Sequence, residues 1–295
     1  MKTRLRAATA AVALATLGFG LAGCAPEPGE APATTTPAKP NADPAETPKP
    51  EEPAEPATPE KPDLTQAQLD QRLRDAAWAN DVAAAEQLIG WGANVNAADD
   101  TVQSAYLIAT SEGRGDLLRL TLKHGADVKA LDSWDGTGLI RAAERGHWDI
   151  SGALIRAGVD VNHVNNLGYQ AIHEAVWLGR DDPTYAATLR VLVAGGAALD
   201  TLSVAEGLTP LQMAEERGFT AQAEVLRALA AAAAPSDPAA ALVEAAQQGD
   251  TTAVVAALRA GADPRATGGD GVAALALAEN GGHVAAAQVI RALGG

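Results

Sequence analysis

The chain has 295 residues, only 3% of them aromatic, with 22 basic side chains against 37 acidic ones and a formal net charge of −15. Such an excess of carboxylates repels nucleic acid and anionic lipid headgroups, so neither is expected as a partner. The single cysteine, Cys24, excludes a disulfide framework and a thiolate metal site.

Lys2, Arg4 and Arg6 form a basic head, and the apolar run from Ala7 to Leu21 is too short for a comfortable membrane span. Small residues then lead into a cysteine, Leu21-Ala22-Gly23-Cys24. This pattern resembles a bacterial lipoprotein signal with its lipobox. The resemblance implies that residues 1–23 are a signal peptide cleaved before Cys24, that the Cys24 sulfur is diacylated, and that the new amino terminus is acylated. The alternative is a plain secretory signal with a stray cysteine. Two or more acyl chains anchor far more firmly than one. The expected location is therefore a bacterial cell membrane, lipid-anchored and facing the extracytoplasmic side. By the same analogy, Ala25 after the cysteine does not signal inner-membrane retention. Removing the signal removes three basic and no acidic residues, leaving 22 − 3 = 19 against 37, a net charge near −18.

Residues 24–63 change character. Twelve prolines fall between Ala25 and Asp63, among Ala, Thr, Glu and Lys, with no apolar or aromatic anchor large enough to nucleate a core. Such a segment cannot bury enough surface to offset its ordering entropy. It is expected to be a disordered, acidic tether with a reach on the order of 100 Å.

From about Leu64 the chain becomes periodic. Thr65 followed by Gln68 is a capping-box pattern that starts a helix. The clearest unit has a turn at Ser133-Trp134-Asp135-Gly136, a helix from Leu139 to Arg145, a break at Gly146, a helix from Asp149 to Ala157, and an extended exit from Gly158. Exit glycines recur at Gly92, Gly125 and Gly158, and mid-unit glycines at Gly113 and Gly146 and at Gly249 and Gly282, each 33 residues apart. A fixed period of this size means stacked supersecondary units that bury their apolar faces against one another. The segments Gly207-Leu208-Thr209-Pro210-Leu211-Gln212-Met213-Ala214 and Ala171-Ile172-His173-Glu174-Ala175, with the exits Gly92-Ala93-Asn94-Val95-Asn96 and Gly125-Ala126-Asp127-Val128, resemble the ankyrin repeat.

The resemblance implies an all-α solenoid of about seven helix-turn-helix units with short β-hairpin loops. Five units fill 64–229, an Ala/Pro linker 230–238, and two more units 239–295. The last two are expected to stack on the fifth as one array, with a flexible two-part arrangement as the alternative. Asn80 replaces a mid-unit glycine, which suits a residue that tolerates the left-handed conformation. Lys123, Arg156 and Arg259 sit where cations complement a helix dipole. The fourth unit carries about five extra residues around Arg180-Asp181-Asp182-Pro183-Thr184-Tyr185.

Candidates for chemistry have structural explanations. His124, His147, His173 and His283 occupy repeat positions, and His173-Glu174 lacks the second histidine of a helical zinc site. Asp99-Asp100 and Asp181-Asp182 lack the alternating oxygen ligands of a calcium loop. No catalytic residue, metal site or cofactor is expected; an enzyme using Asp181, Asp182 and His173 around a metal is the weakest reading. Recognition is the stronger one. In ankyrin repeats the residues before the mid-unit glycine and the hairpin tips line a concave groove. Carried over here, these are Trp78, Glu144, Arg145, Trp177, Leu178, Glu216 and Arg217, with Trp134 and Asp135 at a tip. Tryptophans so placed suit binding hot spots; the alternative is that neighbouring units cover Trp78 and Trp177. The leading reading is a monomeric, membrane-tethered module that binds a protein partner; a passive envelope spacer is the alternative.

Overall fold

Each of the seven units contributes an inner and an outer helix in a computed structural model that describes residues 62–295. Cys24, the lipobox and nearly all of the tether lie outside the described residues. The inner helices are α1 (Gln66–Ala79), α3 (Ala105–Ser111), α5 (Gly138–Glu144), α7 (Ala171–Trp177), α9 (Pro210–Glu216), α11 (Pro238–Gln248) and α13 (Ala274–Asn280). The outer ones are α2 (Val82–Gly90), α4 (Gly115–Lys123), α6 (Trp148–Arg156), α8 (Pro183–Ala194), α10 (Thr220–Ala231), α12 (Thr251–Arg259) and α14 (Val284–Ala292). The β-hairpins shrink to isolated antiparallel bridges, Leu131 with Thr137 and Thr267 with Ala273.

Local chemistry explains the helix ends. Thr65 and Gln68 close the expected capping box at α1, and Thr209 with Gln212 closes another at α9. Ser104 and Thr137 accept from the backbone N–H groups three residues on, which satisfies donors that the first turns of α3 and α5 cannot. Asn80 ends α1 at φ 55°, in the left-handed region. Leu69, Leu73, Leu117, Leu118, Leu154 and Leu192 are buried between the helical layers and fix the stacking of the units.

The inner helices α1, α3, α5, α7 and α9 form one row, and α11 pairs with α13 in another. From the sequence, units six and seven are expected to continue the stack; instead they fold back. Helix α14 packs on α6 and α8, and α12 packs on α8, so the outer helices of the last two units cover those of the third and fourth. Two structural reasons stand out. Unit five ends without an exit hairpin: α10 runs on to Ala231, and Pro238 opens α11 with Asp237 as its cap. Second, Gly152 of α6 lets α14 approach closely, since a Cβ there would collide with the Ala292 carbonyl oxygen.

The two layers are tied by reciprocal caps. Arg156, at the end of α6, donates to the carbonyl of Ala292, the last residue of α14. Arg259, at the end of α12, donates to the carbonyls of Val193 (3.0 Å) and Ala197 (2.6 Å) at the end of α8. Each cation therefore serves the C-terminal carbonyls of a helix in the opposite layer, besides lying in the last turn of its own. The reversal leaves a cavity of about 540 Å³ between α8, α10 and α12.

The inserted residues of the fourth unit lengthen α8 to 12 residues, where α6 has 9. Asp182 caps α8 by accepting from the backbone N–H groups of Thr184 (2.9 Å) and Tyr185 (3.2 Å). Asp181 reaches into the next unit and accepts from the N–H groups of Ala221 (3.2 Å) and Gln222 (3.1 Å). It thus caps α10, whose own N-cap residue, Phe219, has no side-chain acceptor. Both carboxylates serve helix ends, which removes the geometric ground for placing a metal there.

Candidate functional site

The hairpin tips are built on one repeated device. Asp99, Asp132 and Asn165 lie 33 residues apart, and each turns its side-chain oxygen back onto its own loop. Asp132 Oδ1 accepts from Trp134 N–H and Gly136 N–H, both at 2.8 Å. Asn165 Oδ1 accepts from Leu167 N–H at 3.1 Å and Tyr169 N–H at 2.9 Å. Asp99 does the same for Thr101 and Gln103. Such Asx turns hold the tip rigid and present its outermost residue to solvent. Asp135, at φ 56°, takes the left-handed position of its turn, and its carbonyl accepts from His163 Nε2 at 2.7 Å. The anchors Asp132 and Asn165 are not among the residues singled out from the sequence, although their 33-residue spacing marks them.

Trp134 is 53% exposed at its tip, and Leu167 holds the equivalent place one unit on. Trp134, Glu144 and Leu178 converge with Asp132, Leu167 and Glu174 around one cavity of about 200 Å³. Tip residues and the ends of inner helices therefore share one surface. Beneath it, Arg141 bridges two carboxylates, Asp132 Oδ2 at 3.3 Å and Glu144 Oε2 at 2.8 Å. Glu174 is buried, and Asn165 Nδ2 donates to its Oε1 at 2.8 Å. Burial pushes its carboxyl above the ordinary glutamate range, against the Asn165 hydrogen bond; Glu144 and Asp132 add to the rise and Arg141 opposes it.

The other expected groove residues divide. Trp78 stands apart in the first unit, 48% exposed. Trp177 is half-buried: it stacks on Tyr169 with ring centroids 6.0 Å apart, and the Arg217 guanidinium lies over its ring, 5.1 Å from the centroid. Arg217 also lies 4.8 Å over Phe219, so this aromatic column joins units four and five. Arg145 pairs with Glu112 of the preceding unit at 2.7 Å. Glu216 is exposed.

The histidines are connectors. His147 Nε2 donates to the Ser111 carbonyl and His283 Nε2 to that of Gln247, both at 3.2 Å, each reaching one unit back. His173 Nε2 donates forward to the Thr201 carbonyl at 3.1 Å. Burial lowers the pKa of His147 and His173, which keeps both imidazoles neutral at physiological pH.

Compared with protein-family models, the chain matches none. It is 33% identical over 150 residues to YahD of Escherichia coli, a protein named for its ankyrin repeats, covering 50% of this chain and 74% of that one. It is 36% identical over 150 residues to the nuclear factor NF-kappa-B p105 subunit of Gallus gallus, half of this chain but only 15% of that protein. Among solved structures, that of the ankyrin repeat protein EF0377 aligns with a TM-score of 0.52 at 30% identity, over 56% of this chain and 85% of that one. The chain belongs to the ankyrin-repeat family of protein-interaction modules.

Proposed function

We propose that this is a membrane-tethered, extracytoplasmic and monomeric ankyrin module that binds a protein partner through its concave groove and hairpin tips. The observation that carries the reading is where apolar surface stays in water. Among the described residues, Trp78, Val102, Trp134, Val164, Leu167, Leu178, Leu202 and Val204 are large, apolar and exposed, and all lie in inter-unit loops or at inner-helix ends. On the outer helices only Val284 joins them. A clustered apolar surface of this kind marks an interaction site, whereas scattered residues need no explanation. The outer face of α6 and α8 is already occupied by α12 and α14, which leaves the groove and tips for a partner.

The tether rests on Leu21-Ala22-Gly23-Cys24 and on the proline-rich segment that follows. Cys24→Ser should abolish palmitate incorporation and move the protein from the membrane to the soluble fraction; unchanged labelling would sink the lipid anchor. The groove is tested by capturing envelope and secreted proteins on the immobilised chain. Trp134→Ala with Leu178→Ala is the informative variant, because both side chains are exposed and neither belongs to the Trp177 column. A captured protein lost with this variant supports the groove. Capture that is indifferent to it, or no selective capture, favours a passive spacer.

A further inference from the structure

The cavity between the tips of the third and fourth units is unbalanced in charge. Asp132, Glu144 and Glu174 face it with three carboxylates, and Arg141 is the one cation among its lining residues. Arg141 is committed to Asp132 and Glu144. Glu174 is only 3% exposed, Asn165 holds its Oε1, and among the described residues nothing donates to its Oε2. A buried carboxylate oxygen that no protein group donates to costs free energy, so a ligand that donates to it gains what the fold leaves unmade.

The surroundings define what would satisfy it. At about 200 Å³ the cavity is below the range of roughly 300–1,000 Å³ typical of small-molecule sites, so it suits a single side chain. Among the described residues no group of three His, Cys, Asp or Glu side chains is placed to hold a metal ion, and the apolar and aromatic lining of the cavity suits an organic cation. Trp134, Leu167 and Leu178, all exposed, line the same cavity and offer aromatic and aliphatic surface to the stem of a basic side chain. The acidic chain would steer a basic segment toward this place.

We propose that this cavity is the specificity pocket of the groove, taking the guanidinium or ammonium head of an arginine or lysine on the partner, with Glu174 as its buried counter-ion. The proposal rests on the groove reading above and adds the chemical class of the residue recognised.

The test is a titration of the isotope-labelled full chain, followed by NMR, with the capped peptides Ac-Leu-Arg-Leu-NH2 and Ac-Leu-Lys-Leu-NH2. The counterpart carrying neutral citrulline in place of arginine is the control. At least one basic peptide should shift the Asn165 side-chain amide and the Trp134 indole N–H, and the citrulline peptide should bind about tenfold or more weaker. Glu174→Gln keeps the shape and an acceptor for Asn165, and should abolish that preference. Equal binding of arginine and citrulline peptides, no shift with any peptide, or a preference that survives Glu174→Gln would each overturn the proposal. The arginine and citrulline comparison on the unaltered chain stands even if the variant fails to fold. Failure of the groove reading looks different: peptide binding would depend on Glu174 while partner capture ignored Trp134→Ala with Leu178→Ala.

Discussion

Glu174 carries its burden in the folded state alone. Its carboxyl titrates above the ordinary value of 4.5 because burial disfavours the charged form. The unfolded chain therefore loses this proton first as pH rises, and stability falls through the interval between the two values. Glu174→Gln should raise the melting temperature at pH 7, with the gain vanishing below about pH 4.5, as calorimetry across that range would show. The histidines act at the other limb. His147 and His173 titrate below the ordinary 6.5 because they are buried, so the unfolded chain takes up protons first as pH falls, and stability is lost below pH 6.5. Replacing both with Gln should flatten that acid limb. Both histidines and the Thr65–Gln68 box were legible in the sequence, because their roles follow from repeat position and local spacing. Glu174 was not, because neither its burial nor its unsatisfied oxygen follows from its place in the repeat.

At the scale of elements, the insertion in unit four was visible as extra length, but its use was not. Asp181 meets its N–H partners 40 and 41 residues away, a contact that no local pattern records. Asp181→Ala should cost about 1 kcal/mol, the usual worth of a helix cap, and speed amide exchange in the first turn of α10. The two arginine caps were read as each serving its own helix, which is correct for position and incomplete for the bond. Gly152→Val is the sharper probe. Its side chain would collide with the Ala292 backbone, costing about 1–3 kcal/mol by overpacking, and α14 should become the least protected outer helix in hydrogen exchange. Unchanged protection of α14 would mean that the fold-back does not depend on this close approach.

Over the whole molecule, the 33-residue period was enough to predict the unit and its number, and not enough to predict the path of the stack. A repeat specifies contacts with its neighbours, and units six and seven have one conventional neighbour each, each other. Their second interface, on α6 and α8, is keyed by the close approach at Gly152 and by the bonds of Arg156 and Arg259 to backbone carbonyls, pairings across the stack that a repeat pattern does not record. One face of the solenoid is closed by the chain's own last units, and the opposite face carries the exposed apolar tips and the acidic cavity.

That division is most directly tested by hydrogen–deuterium exchange of the full chain, alone and saturated with its captured partner. The account predicts added protection in the tip segments 99–103, 132–136 and 165–169 and at the C-terminal ends of α5 and α7, with α6, α12 and α14 unchanged. Protection confined to the outer helices, with the tips exchanging as before, would contradict it.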